Sequence, residues 1–505
     1  MLTAGKPAPA GLIQWGIVSN PQQRPDPGQV AGVLELLHAT PLIDEVGARF
    51  QAAGHRIALV GGPVRDAMLR RPDAGRDLDF TTKAHPHEIE KVLAGWADAT
   101  WDIGREFGTI GAMVAGRRVE ITTYRADDYD SASRKPAVTF GDTLVGDLRR
   151  RDFTVNAMAV ELPSHELVDP FGGARDLTAG VLRTPGTPEE SFSDDPLRMM
   201  RGARFTAELD LLLDPAVSAA MRDMASRITI VSAERVRDEL EKLMLSERPR
   251  NGLTLLVDTG LAAFVLPELP ALRLERDEHH RHKDVYDHSL TVLEQAIALE
   301  PRLGAGPDLV IRLAALLHDI GKPRTRRFAD DGSVTFHHHD VVGAKLARTR
   351  LAALRFPRAH IDAVARLVEL HLRFHGYGSG EWTDSAVRRY VRDAGPLLER
   401  LHVLTRADST TRNARKAERL RRTYDDLEQR ITVLAAAEEL ASIRPDLDGE
   451  QIMATLGIPP GPDVGAAYRF LLELRLDRGP IGPERAREEL LAWWPTREGG
   501  AQPAT

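Results

Sequence analysis

Apolar positions change their spacing twice along this 505-residue chain. Over 33–53 residues such as Leu34, Leu37 and Val46 recur at helical intervals and predict a helix. Between 55 and 160 the texture becomes mixed. Short β-prone runs at 57–60, 78–81, 109–114 and 119–123 alternate with helical stretches at 63–70 and 86–95. A polar segment at 125–140, with Tyr129, Arg134, Lys135 and Pro136, reads as a mobile loop. Past Asp169-Pro170-Phe171-Gly172-Gly173 and the Pro-rich stretch 185–188 the strand signals stop. From about 194 onward the periodicity is helical, with breaks near 267–283 and near 410, and no internal repeat at a fixed period. The pattern predicts an α/β head followed by all-α parts. The expected divisions are an extension and helix start over 1–40, a head over 41–185, a helical neck and body over 186–275, a further helical domain over 276–412 and a helical tail over 413–505.

Composition narrows the class. The chain is 42% hydrophobic and 28% charged, the balance of a soluble protein, and no run approaches the roughly 20 apolar residues of a membrane span. Residues 1–30 are rich in Pro, Gly, Ala and Gln; they read as a disordered extension without a signal pattern, which points to the cytoplasm. With no cysteine, any metal must be held by Asp, Glu and His. A net charge of −7 confines nucleic-acid binding to local basic patches. Three stand out: Arg149-Arg150-Arg151; Arg324, Arg326 and Arg327; and the run Arg412, Arg415, Lys416, Arg419, Arg421, Arg422. The last reads equally as a solvated helix face, because Glu418 and Asp425 are interspersed.

The densest chemistry lies in the head. Asp77 and Asp79 are one residue apart on a β-prone run, so both carboxylates share a face and can converge on one hard cation. Upstream, Gly61-Gly62-Pro63-Val64-Arg65-Asp66 follows the apolar run 57–60. That turn lets backbone approach a ligand, and a helix starting near Pro63 would aim free N–H groups at phosphate. Glu120 lies on a run that can pair beside the aspartates, giving a three-carboxylate platform for two Mg²⁺; its alternative is an outward position on an edge strand. Arg150, Arg151, Asp152 and Asn156 offer guanidinium forks, an acid and an amide for phosphate and ribose. Asp195 and Arg198, three apart, can read the shared amino-donor and ring-acceptor edge of cytosine or adenine, and Arg201 follows one turn later. The alternative for this pair is a helix-capping salt bridge.

In order, Gly61-Gly62-Pro63-Val64-Arg65-Asp66, Asp77-Leu78-Asp79, Arg150-Arg151-Asp152-Phe153-Thr154-Val155-Asn156-Ala157, Asp169-Pro170-Phe171-Gly172-Gly173, Asp195-Pro196-Leu197-Arg198 and Glu234-Arg235-Val236-Arg237-Asp238-Glu239-Leu240 resemble the successive motifs of class II tRNA nucleotidyltransferases, the CCA-adding and poly(A) polymerase family. The resemblance covers roughly 50–270. It implies a polymerase-beta-like head that binds metal through Asp77 and Asp79 and ribose through Arg151, Asp152 and Asn156. It also implies a protein template for CTP and ATP at Asp195 and Arg198, a hinge near 169–173, and a helical neck and body that hold tRNA; DNA and membrane are not expected partners. Asp194 departs from the family, which more often has Glu there.

A second set lies downstream. His288, His318-Asp319 and Asp408 sit on separate predicted helices and can converge on one divalent metal, with His339 and His371 completing a second position. Over about 280–410 this resembles the HD phosphohydrolase domain, which implies a phosphate ester as substrate, such as one at an RNA end. His279, His280 and His282 read as solvated linker residues, and Trp493 and Trp494 as packing residues.

Overall fold

In the computed structural model the described residues are 15–16, 25–102, 105, 108–126, 139–274, 284–304, 306–328, 330, 334–376, 382–410, 413–438 and 443–497. They form two compact units, Met1–Val265 and Leu266–Thr505. The loop residues Tyr129 to Pro136, the histidines at 279, 280 and 282, and Arg412 lie outside the described residues.

The first unit is built on an eight-stranded mixed sheet. In chain order its strands are β1 (Trp15–Gly16), β2 (Ile57–Val60), β3 (Asp77–Thr82), β4 (Ala99–Trp101), β5 (Thr109–Val114) and β6 (Arg117–Thr123). A small separate pair, β7 (Arg125–Ala126) and β8 (Thr139–Phe140), precedes the last two, β9 (Ala159–Leu162) and β10 (Glu166–Val168). Across the sheet the order is β1-β10-β9-β2-β3-β6-β5-β4. Strand β2 is fully buried and lies at the centre, which is why it reads as an unbroken apolar run. Strands β3 and β6 alternate instead: Leu78, Phe80, Val119 and Ile121 fill the core, and the residues between them face away from it.

Several expectations need correction. The single helix over 33–53 is two, Pro27–Ala39 and Leu42–Ala52, parted at Thr40-Pro41 because the residue before a proline is driven out of helical geometry. The extension over 1–30 is not wholly unstructured: Trp15–Gly16 pairs with Leu167–Val168, and Asp26 caps the helix that starts at Pro27. Strand pairing also continues beyond 185, at Leu212–Leu213 with Val181–Leu182 and at the hairpin Arg327–Phe328 with Val334–Thr335.

The second unit is helical. Helix Leu309–Leu317 is almost wholly buried; its one buried cation, Arg312, is forked by Glu300 at 2.6 and 2.8 Å. Helices Val285–Leu299, Arg358–Leu370 and Leu398–Asp408 pack around it. In the tail, Trp493 stacks on Phe470 with ring centroids 4.4 Å apart, and Trp494 packs against the same cluster, as expected of packing residues. No helix among the described residues is long and apolar enough to cross a membrane.

Candidate functional sites

Strands β3 and β6 are parallel, with Asp77 opposite Arg118 and Asp79 opposite Glu120. Asp77, Asp79 and Glu120 therefore emerge on one face and line a cavity of about 230 Å³ with Arg118. Burial pushes the Asp79 carboxyl up to about 6; Arg151 opposes this, while Glu120 and Asp77 add to it. Three acids on one wall, with the Asp79 carboxyl raised, fit a cation, which would remove their mutual repulsion. Their oxygens are not drawn into a closed triad, however: Glu120 is turned onto Arg118 at 2.5 Å.

The Gly-rich turn stands next to this wall. Gly61 adopts φ +76, which favours glycine, and a Cβ there would stand 2.8 Å from Arg151 Nη1, so the guanidinium lies close against this turn. Gly62 opens a helix that ends at Met68, with Pro63 in its first turn. Arg65 is buried; it forks the carboxylate of Asp66 and donates to Asn156 Oδ1 at 2.6 Å. Burial raises Asp66, with Arg65 opposing. Asn156 donates to Asp152 Oδ1 at 2.9 Å, and Arg201 donates to Asp152 Oδ2 at 2.7 Å. Burial alone would raise the Asp152 carboxyl; Arg201, Asn156 and Arg198 outweigh it and hold the group well below the usual carboxylate range. Asp66, Arg65, Asn156, Asp152 and Arg201 are thus one buried hydrogen-bonded chain.

Arg149, Arg150, Arg151, Gly186, Ser191 and Arg198 help to line a second cavity of about 270 Å³. Arg198 is held on its wall by Ser191 Oγ at 2.9 Å and by the carbonyl of Arg150. Asp195 is engaged elsewhere: it accepts from the Leu197 amide at 3.1 Å and from Arg235 at 2.7 Å. Asp195 thus caps the helix Leu197–Leu209, as the capping alternative expects, but its ion pair is with Arg235 and not with Arg198. Asp169 accepts from the Gly173 and Ala174 amides at 2.8 and 3.0 Å, which pins the start of helix Gly173–Ala179.

Sequence reasoning did not single out two supports of this site. Asp147 accepts from Thr81 and lies 3.5 Å from Arg151, four residues on in the chain; that spacing was a readable signal. Glu239 receives Arg204 Nε at 2.7 Å and lies 3.6 Å from Arg201, while Arg65, Arg201 and Arg204 all stand over the Phe205 ring. This convergence is tertiary and has no local signature.

In the second unit all six expected ligands come together. His288, His318 and Asp408 form one triad, and Asp319, His339 and His371 another; within each, the ligand atoms lie within 4.8 Å of one another. His288 Nε2 is 2.9 Å from Asp408, His318 Nε2 is 3.2 Å from Asp319, and His339 Nε2 is 3.3 Å from Asp319. His318 and His371 each follow the last residue of a helix. Their Nδ1 atoms meet the carbonyls of Ala315 and Val368 at 2.8 and 2.6 Å, and His339 Nδ1 meets that of Phe336 at 2.8 Å. A carbonyl only accepts, so Nδ1 carries the proton and Nε2 faces the cluster. Burial lowers His318, yet Asp319 and Asp408 raise it to about 10; burial and His318 lower His371 to about 4. His339 Nε2 is buried without a hydrogen-bond partner. Fixed imidazoles, a buried and a half-buried carboxylate and an orphaned ring nitrogen fit a divalent cation. Lys322, not singled out from sequence, donates to Asp319 at 2.8 Å.

The first unit therefore has the organisation of a nucleotidyltransferase head followed by a helical neck, and the second that of an HD helical domain. Family models agree: a poly A polymerase head domain matches 57–183, a probable RNA and SrmB-binding site of polymerase A matches 210–272, and an HD domain matches 285–413. An A-adding tRNA nucleotidyltransferase of Deinococcus radiodurans is 35% identical over 445 residues, 86% of this chain and 95% of that protein. A CCA-adding enzyme of Streptococcus thermophilus is 30% identical over 440 residues, 86% of this chain and 92% of that one. The crystal structure of the Bacillus stearothermophilus CCA-adding enzyme in complex with CTP shares the fold, with a TM-score of 0.63 at 24% identity over 92% of this chain and 98% of that one. The chain belongs to the tRNA nucleotidyltransferase and poly(A) polymerase family, whose members are metal-dependent transferases.

Proposed function

We propose that this chain is a template-independent CCA-adding enzyme that transfers C, C and A from CTP and ATP to the 3′ end of tRNA. One observation carries the reading: Asp77 and Asp79 share a cavity wall beside a glycine turn that Arg151 touches. In this assignment 41–185 is the catalytic head, 186–275 holds RNA, 276–412 is the HD domain and 413–505 the tail. The substrate places the work in the cytoplasm. The tRNA 3′-hydroxyl oxygen attacks the α-phosphorus and gives its proton to solvent water; the bond from that phosphorus to the bridging oxygen of the β-phosphate breaks, and pyrophosphate leaves. Asp77, Asp79 and Glu120 would hold Mg²⁺, which would supply neutralising charge for the triphosphate and for the attacking hydroxyl. Arg151, held by Asp147, lies on the phosphate side, and Asp152 and Asn156 receive the ribose hydroxyls. Arg65, Asp66, Gly61 and Gly62 keep this wall in place. Arg198 and Asp195 present a guanidinium donor and a carboxylate acceptor to the base edge, once the base replaces their resting partners. Positioning supplies most of the acceleration.

The name of the Deinococcus relative favours one second reading, addition of A alone. Transcripts ending before CCA, after C and after CC, incubated with CTP, ATP or both, separate the two. Three additions and a stop support CCA addition. Extension only of the CC-ended transcript by ATP establishes the A-adding reading, and a long A ladder establishes a poly(A) polymerase. Arg198→Ala should raise misincorporation of UTP and GTP about tenfold, since one guanidinium contact to a base is worth about 1–3 kcal/mol. An unchanged preference removes Arg198 from the template. For the second unit we assign one or two divalent cations to His288, His318, Asp408, Asp319, His339 and His371, and a phosphohydrolase activity.

A further inference from the structure

The residues just beyond the HD cluster are not used by any of this chemistry. After the turn Lys322–Thr325 the chain forms the hairpin Arg327–Phe328 with Val334–Thr335, in which Phe328 pairs with Val334. Phe328 is 70% exposed, and the guanidinium of Arg326 lies 4.8 Å from its ring centroid. Arg324, Arg326 and Arg327 are exposed as well; Asp330 is the one described acid of the hairpin. Such a platform, a bare aromatic ring extended by a guanidinium and bordered by cations, has no packing role here, because Phe328 buries little against its own unit.

Two contacts tie this hairpin to the metal-ligand cluster. The Phe336 carbonyl receives His339 Nδ1 at 2.8 Å, and the Phe336 ring lies under Lys322, whose ammonium is 5.7 Å from the ring centroid and 2.8 Å from Asp319. Gly321 joins the two halves tightly: a Cβ there would fall 2.0 Å from the His339 carbonyl oxygen. The exposed platform and the buried ligands are therefore adjacent parts of one local assembly.

We propose that the segment 322–328 is a docking surface for single-stranded RNA, with a base stacked on Phe328 and Arg326 and the backbone phosphates on Arg324 and Arg327. Stacking accepts any base, and the exposed side chains of Arg324, Arg326 and Arg327 match a strand carrying one charge per nucleotide. The proposed tRNA-directed function supplies only the choice of RNA over DNA. The surface itself rests on the hairpin.

The test uses the full chain and a six-nucleotide RNA containing 4-thiouridine, cross-linked by light and mapped by peptide mass, with a matching DNA hexamer alongside. Adducts on the peptide holding Phe328 are expected. Phe328→Ala should weaken binding of the RNA roughly tenfold. Arg324→Glu should lower the slope of log affinity against log salt by at least about 0.7. Both variants should extend tRNA at the normal rate, and both positions are exposed, so folding is not at stake. Adducts confined to 1–265, or an affinity unchanged in both variants, overturn the proposal; equal capture of the DNA hexamer overturns the choice of RNA. Loss of nucleotide addition by the unmodified chain, with cross-linking retained, defeats the proposed function and leaves this surface standing.

Discussion

Both candidate metal sites join histidines or carboxylates from distant parts of the chain, but they are built for different tasks. In the head, Asp77 is exposed, Asp79 and Glu120 are half-buried, and Glu120 is turned onto Arg118. In the HD domain, His318 is 0% and Asp319 1% exposed, and three imidazoles are locked by backbone carbonyls. An open carboxylate wall leaves coordination positions for phosphate and hydroxyl oxygens, as transferred nucleotides require, so a cation held there would arrive and leave with substrate. A more enclosed set of nitrogen and oxygen donors would hold a cation between turnovers. The comparison teaches that exposure of the ligands, more than their number, separates a substrate-completed site from a resident one.

The largest effect should come from the head. Asp79→Ala should lower nucleotide addition about a thousandfold or more, with tRNA affinity within about threefold, because charge stabilisation at the reacting phosphate is lost while the RNA contacts remain. Metal bound after gel filtration, measured by mass spectrometry, should be unchanged. Loss of that metal in Asp79→Ala would place the resident cation in the head and reverse the comparison.

His318→Gln should do the opposite. The retained metal should fall to background, and the melting temperature should drop by several degrees, since Asp319 and Asp408, both beside His318, would lose the cation that offsets their charge. The rate of nucleotide addition should stay within about twofold. A parallel loss of addition would show that the cage supports the head chemistry, and the separation of tasks would fail.

What could be read in advance follows from how local each feature is. Asp77 and Asp79 were legible because a strand places i and i+2 on one face, and β3 is a strand over that interval. The six HD ligands were legible by type, and two of them are locked by a carbonyl three residues back at a helix end, a purely local device. The strand Trp15–Gly16 was not: two residues in a Pro- and Gly-rich stretch gain their pairing from Leu167 and Val168 of β10, far along the chain. The Phe205 assembly was not either, since Arg65, Arg201, Arg204 and Glu239 meet only once helices Leu197–Leu209 and Ala233–Leu245 pack. Asp195 and Arg198 were legible as neighbours, but their resting partners, Arg235 and Ser191, are set by tertiary contacts.

The smallest expected effect bears on the one carboxylate whose role both sequence and geometry divide. Glu120 stands opposite Asp79 in register, which favours a ligand, yet its carboxylate is paired with Arg118, which favours an edge-strand partner. An exposed pair of this kind contributes at most about 1 kcal/mol, so losing it does not disturb the fold. Glu120→Gln keeps the shape and removes the charge. If Glu120 swings to the cation only when substrate is bound, addition should slow about tenfold, equivalent to about 1.4 kcal/mol, and rising Mg²⁺ should restore part of the rate. A loss as deep as that of Asp79→Ala would make the head a closed three-carboxylate site in its working state, closer in kind to the HD cage. No change in rate at any Mg²⁺ concentration would reduce Glu120 to Arg118's partner and leave Asp77 and Asp79 as the whole of the platform.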